Sequence, residues 1–219
     1  MSDDALATWC LIRQEVDWSS AAEVDLTPVH PAVDGLAAWF NGPVRLRNAD
    51  RADRLLAAMT ESRAAAACGE PLTPALLANW QKLVLGVEEV HLRRSDAYAK
   101  GGRERYGLTP HTWQDFAAYL RQSADPSLPL PARAARAYLD IAFFHPYSDG
   151  NARLALLVLA HVLDREGIRL DEVEPLQTTR YADDPDGALD LAALITILIH
   201  TTHNRSTTQC ERNPAGADR

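Results

Sequence analysis

The stretch HPYSDGNAR, residues 145 to 153, places a histidine, an aspartate, an asparagine and an arginine around one glycine and runs straight into an apolar segment. Residues of these types at this spacing can do phosphate chemistry. His145 can accept a proton from a hydroxyl. Asp149 can hold a divalent cation, since Mg²⁺ takes one or two carboxylates and fills its remaining positions with phosphate oxygens and water. A helix beginning after Gly150 presents backbone N–H groups with no intrahelical partner at the positive end of its dipole. Asn151 and Arg153 add an amide and a guanidinium to that end. A buried helix with a polar cap explains Asp149 or Asn151 singly, but not His145, Asn151 and Arg153 together.

Two helices must position this set. One is predicted over 132–144, ending in Phe143-Phe144 and broken by Pro146. The next is predicted over 150–166, and its LALLVLAHVL run is apolar nearly all round, as a buried axis requires. Further helices are predicted over 3–16, 50–68, 75–85, 111–122 and 186–201, with at most a short one over 35–40 between prolines. Thr73-Pro74 and Thr109-Pro110 each combine a cap with a first-turn proline. Residues 92–107, LRRSDAYAKGGRERYG, fit a hairpin turning at Gly101-Gly102. The fold class is therefore all-α with a small β-hairpin. The polar residues 204–219 are expected to form a disordered tail.

A net charge of −8 argues against nucleic acid as a partner, because phosphate backbones need a basic footprint. One basic island stands out, with Arg93, Arg94, Lys100, Arg103 and Arg105 outnumbering Asp96 and Glu104. It could hold a phosphorylated ligand, although from charge alone it reads as a solvated loop. No apolar stretch approaches a membrane span, and the acidic start MSDDALATW lacks the basic region of a secretory signal. Cys10, Cys68 and Cys210 are scattered, which fits reduced thiols in a cytoplasmic protein. His200 and His203 in HTTH could bind metal, but their position at a helix end favours a surface role. With no G-x-x-x-x-G-K-S/T, any nucleotide is held by something other than a P-loop.

The motif resembles the signature of the Fic family, H-P-F-x-D/E-G-N-G-R-x-x-R, in His145, Pro146, Asp149, Gly150, Asn151 and Arg153. Its context agrees, with an apolar helix on either side and a hairpin upstream. The resemblance implies a helical Fic domain over about residues 50–203, with residues 1–49 as a helical extension packed on it. It implies transfer of AMP from ATP to a Ser, Thr or Tyr hydroxyl of a target protein, with His145 as general base. Asp149 would bind Mg²⁺, and Gly150, Asn151 and Ala152 would cradle phosphate while Arg153 neutralises its charge. The hairpin, Tyr98-Ala99-Lys100-Gly101-Gly102, would be the flap that clamps the target as an added strand, with Lys100 and Arg103 beside the phosphates.

Three positions depart from the signature. Tyr147 replaces Phe and should still pack as an apolar anchor. Ala152 replaces the second Gly, narrowing the phosphate nest without removing its N–H. Leu156 replaces the final Arg, which holds the γ-phosphate in AMP-transferring members. The Doc branch also lacks that Arg, reading R-x-A-L as in Arg153-Leu154-Ala155-Leu156, and transfers the γ-phosphate. Phosphocholine transfer, a small-molecule acceptor and a degenerate domain that only binds are further alternatives. The family's inhibitory helix aligns best with Ala64 and Cys68 at its Ser and Glu, so both inhibitory side chains are missing. A separate antitoxin protein could supply that lock.

Overall fold

The apolar run after Gly150 takes the central place that its composition demands. In the computed structural model, which describes residues 4–212, the chain order begins with α1 (Ala5–Glu15), α2 (Gly35–Trp39), α3 (Arg45–Arg47), α4 (Ala49–Ala67) and α5 (Pro74–Leu85). A hairpin of β1 (Ala97–Ala99) and β2 (Glu104–Tyr106) follows. Then come α6 (Thr112–Arg121), α7 (Leu130–Phe144), α8 (Asn151–Asp164) and α9 (Pro185–Arg212). The fold is mostly helical with one small antiparallel sheet, as the sequence predicts.

Helix α8 packs along α7, and α4, α5 and α9 close around this pair. Leu154, Leu157, Val158 and Leu159 of α8 are each at most 1% exposed, so almost every side of the helix is covered. His161, also on α8, is fully buried and sets its Nδ1 and Nε2 against the carbonyls of Ser62 and Glu70. The neutral ring that burial favours carries one N–H, so it donates to one of these two carbonyls and joins α8 to the α4 side of the core.

Caps set several of the boundaries. The Thr73 side chain accepts the Leu76 N–H at 3.1 Å, with Pro74 in the first turn, and α5 ends at Gly86 in the left-handed region. Two segments differ from expectation. After α2 the chain continues through a wide π turn, Phe40–Val44, into α3, because Pro43 supplies no N–H to a regular ladder. Residues 204–212, expected to be disordered, belong to α9; the remainder of that tail lies outside the described residues. A polar helix end holds here because Asp171 receives Thr202 Oγ1 at 3.0 Å and the Arg205 guanidinium at 2.8 Å.

The N-terminal helix is bolted to α7 by a buried ion pair. Arg13 meets Asp140 in a two-pronged contact, Nε to Oδ1 at 2.7 Å and NH2 to Oδ2 at 2.9 Å. Trp9 Nε1 donates to the same carboxylate at 3.0 Å. The other end of α1 reaches the hairpin, where Asp4 Oδ1 accepts the Gly107 N–H at 3.1 Å. Asp140→Ala would strand a buried guanidinium and an indole N–H. The loss of unfolding free energy should be about 3–5 kcal/mol, measured by denaturant titration, and a loss below ~1 kcal/mol would show that α1 does not depend on this pair.

Candidate active site

His145 is the C-cap of α7 and one of two non-glycine residues among those described with positive φ, at φ 49° and ψ 55°. The left-handed turn lifts the imidazole out of the helix line. Its Nδ1 lies 3.3 Å from the Ala142 carbonyl. A carbonyl only accepts, so Nδ1 carries the proton and Nε2 of the neutral ring keeps its lone pair. Tyr106 stacks on the ring at 5.1 Å and 12°. Burial pushes the His145 pKa below the ordinary histidine value; the Ala142 contact opposes this, and the charges of Arg93 and Lys100 add to it.

What holds the strained turn is Arg93. Its buried guanidinium donates to the carbonyls of His145 at 3.0 Å, Phe144 at 3.2 Å, Gly107 at 3.3 Å and Ser95 at 2.7 Å. Its own N–H donates to the Pro146 carbonyl at 3.0 Å. One side chain thus ties the end of α7 to both legs of the hairpin. Arg93 was expected in a phosphate-binding or solvated island; the structure buries it against backbone carbonyls instead.

The hairpin pairs Ala97 with Tyr106, Tyr98 with Arg105 and Ala99 with Glu104. Lys100 at its tip has φ 55°, followed by Gly101 at 69° and Gly102 at 85°. The ammonium of Lys100 and the hydroxyl of Tyr106 both donate to Oε2 of Glu104, while Oε1 accepts the Ala182 N–H at 3.1 Å. The Glu104 carboxylate therefore joins the hairpin to the segment before α9. Burial lowers the Lys100 pKa, against the opposing pull of Glu104. Arg103 is exposed and its guanidinium lies 5.7 Å from the Tyr181 ring centroid, outside the cavity beside His145. Tyr98 is 63% exposed on the outer face of the flap.

At the entrance to α8, Gly150 adopts φ 81° and no side chain caps the helix, so its first turn stays open to a ligand. Asn151 does not offer its amide there. It accepts the Tyr147 N–H at 3.0 Å and donates to the Tyr147 carbonyl at 2.7 Å, closing the loop on itself. Asp149 Oδ1 accepts the Gly150 N–H at 2.6 Å, and Oδ2 pairs with Arg153 at 2.9 Å. Partial burial would raise the Asp149 pKa, but the bonds from Arg153 and Gly150 outweigh it and hold the carboxyl below its usual range. From α5, Gln81 donates to the Asp149 carbonyl at 2.6 Å and supports the loop from beneath.

These elements border a cavity of about 240 Å³ lined by His145, Tyr106, Lys100, Ala152, Thr178 and Arg180. Ala99 and Asn151 also border it. Tyr147 is 2% exposed and packs as the apolar anchor expected of it. Leu156 is 3% exposed and faces Leu36, Ile168 and Leu170 in the core, so it contributes nothing to a ligand. Ala64 and Cys68 line a different groove, with Trp80 and Leu83. Among the described residues no three His, Cys, Asp or Glu side chains cluster to hold a metal alone. Asp149 nevertheless suits Mg²⁺: its side chain is 74% exposed, and its oxygens retain lone pairs beyond their present partners.

Arg93, Glu104, Gln81 and Arg180 were missed as site residues. Gln81 carried a signal, since it falls at helical spacing with Leu77, Trp80 and Val84, a polar residue on a buried face. Glu104 and Tyr106 are two apart on one strand and share a side, which predicts their contact once the hairpin is accepted. Nothing local marks Arg93 or Arg180.

Residues 71–163 match the model of the Fic/DOC family. No curated protein sequence matches the chain. Among solved structures, the chain is similar to IbpAFic2 covalently tethered to Cdc42, at 13% identity and a TM-score of 0.53 over 86% of this chain and 68% of that one. An IbpAFic2 variant in complex with adenylylated Cdc42 aligns at 12% identity and a TM-score of 0.54 over the same shares. A variant of Fic-1 from C. elegans aligns at 12% identity and 0.54, covering 95% of this chain and 72% of that one. At these identities the likeness is one of fold.

The loop depends on a glycine at 150. A Cβ there would lie 2.7 Å from Gln81 Nε2, in a backbone conformation that costs an L-residue roughly 1–2 kcal/mol. Gly150→Ala should lose more than that backbone cost in denaturant unfolding. Adding Gln81→Ala should recover the steric part, giving a double variant more stable than the sum of the two losses predicts. Strictly additive losses would contradict the contact.

Proposed function

We propose, for a chain whose residues 71–163 match the model of the Fic/DOC family, that it is a transferase moving AMP from ATP onto a protein hydroxyl. The observation that carries the reading is His145: a neutral imidazole whose Nδ1 is tied to Ala142 and whose Nε2 is left as acceptor, bordering the cavity that Ala152 of the α8 entrance also lines. Nε2 takes the proton of the incoming hydroxyl as its oxygen bonds to the α-phosphorus. The bond from that phosphorus to the bridging oxygen breaks, and pyrophosphate leaves with its electron pair. The open first turn of α8 offers N–H groups to phosphate oxygens, with Arg153 beside them once it exchanges Asp149 for phosphate. Asp149 is the residue that would hold Mg²⁺, which when bound offsets phosphate charge. The fold likeness to proteins solved with Cdc42, one of them with adenylylated Cdc42, supports a protein as the acceptor.

A second reading is favoured by one observation. Leu156 is buried in the core and gives a γ-phosphate no anchor, so transfer of the γ-phosphate with ADP as leaving group fits the same base. No helix among the described residues is long and apolar enough to cross a membrane. The proposed reaction draws on ATP and is one for the cytoplasm, where ATP is supplied.

Purified protein incubated with Mg²⁺, host lysate and ATP labelled at either the α- or the γ-phosphate separates the readings. Label from the α-position on a protein band, absent with His145→Ala, is the expected result. Label from the γ-position alone would establish the second reading, and no His145-dependent label from either would contradict transfer from ATP to protein.

A further inference from the structure

The cavity beside His145 contains two cationic side chains, Lys100 and Arg180. Their circumstances differ. Lys100 is already neutralised by the Glu104 carboxylate, which also carries the Tyr106 hydroxyl and the Ala182 N–H. Arg180 forms no ion pair among the described residues. Its NH1 donates to the Gly187 carbonyl at 3.3 Å, and its Nε is buried with no partner. Asp184 accepts the N–H of the same Gly187 at 2.8 Å and makes no ion pair with Arg180. Arg180 therefore brings a guanidinium with no carboxylate partner to the cavity lining, its Nε closed off from solvent without a hydrogen bond. Leaving such a group without an anion is costly unless a ligand completes it.

The other walls say which anion. Tyr138 borders the same cavity; burial raises its phenol pKa and the Arg180 charge opposes that rise, which places the guanidinium close to Tyr138. Thr178 and Thr179 also line the cavity, the Thr178 hydroxyl donating to the Pro175 carbonyl at 3.2 Å, and Ala152 brings the first turn of α8 to it. A guanidinium, hydroxyls and open backbone N–H groups around one space form a donor set for a multiply charged oxyanion. The remaining candidate cation, Arg153, does not line the cavity and is paired with Asp149, and Leu156 points into the core.

We propose that Arg180 is a substrate-binding residue, taking a phosphate group of the donor nucleotide in the cavity it lines with His145 and Ala152. This rests on the nucleotide-transfer reading above. It gives the chain a phosphate anchor in a segment outside the HPYSDGNAR motif, in a protein whose position 156 is apolar.

The test is calorimetric binding of ATP and of adenosine, each with Mg²⁺, to His145→Ala, which prevents turnover. The same titrations are run with Arg180→Ala and Arg180→Lys added. Loss of a charge-assisted contact should weaken ATP by roughly 10- to 100-fold in Arg180→Ala, with adenosine unchanged and the lysine variant in between. Unchanged ATP affinity, or equal weakening of ATP and adenosine, would overturn the assignment while leaving nucleotide transfer standing. No ATP binding by His145→Ala itself would overturn both.

Discussion

The geometry of the site depends on one buried guanidinium and the backbone carbonyls it collects. A helix end leaves carbonyls without partners, and a left-handed residue such as His145 adds backbone strain to that deficit. Arg93 answers both by donating to the carbonyls of Phe144 and His145 while also holding Ser95 and Gly107 at the base of the hairpin. His145, the proposed base, and the hairpin are therefore fixed to one another by the same side chain. The buried charge acts on the base as well, adding to the burial that keeps the His145 imidazole neutral. Stacking by Tyr106 completes the restraint, because that ring belongs to the hairpin that Arg93 anchors.

Around this fixed centre, most charges are paired in advance. Asp149 holds Arg153, Glu104 holds Lys100, and Arg105 holds Asp96 at 2.7 Å. On the proposed reading, a phosphate entering the site exchanges with Asp149 for Arg153, and the ion pair orients that arginine at the α8 entrance beforehand. Arg180 stands apart as the cavity's unpaired cation. The frame behind the site is equally specific. Arg13 and Asp140 fasten α1 to α7, and Asp4 at the start of α1 meets Gly107 beside the hairpin, so the N-terminal segment helps to position the flap. A Cβ at Gly107 would come within 2.0 Å of the Asp4 carboxylate, so a larger residue there would have to displace that side chain.

The helices and the motif were legible because their determinants are local. Caps at Thr73 and Gly86, the apolar face of α8 and the contiguous HPYSDGNAR run all act within a few residues. The partners of charges were not legible, because they are set by distances across the fold. Arg93, Lys100 and Arg105 look alike as an island of positive charge, yet one meets carbonyls and the others meet carboxylates. Asn151 reads as a phosphate ligand from its place in the motif, whereas its amide is matched to the backbone of Tyr147. The polar end of α9 reads as disorder because Asp171, which receives Thr202 and Arg205, lies far away in sequence.

The central claim is that the fold holds His145 neutral with its Nε2 lone pair available. Nitrogen-15 NMR of histidine-labelled protein across a pH titration tests it most directly, with the His145 resonance assigned by its loss in His145→Ala. The account predicts the Nδ1–H tautomer at neutral pH and protonation only below the ordinary value of about 6.5. An Nε2–H tautomer, or a pKa at or above that value, would contradict it.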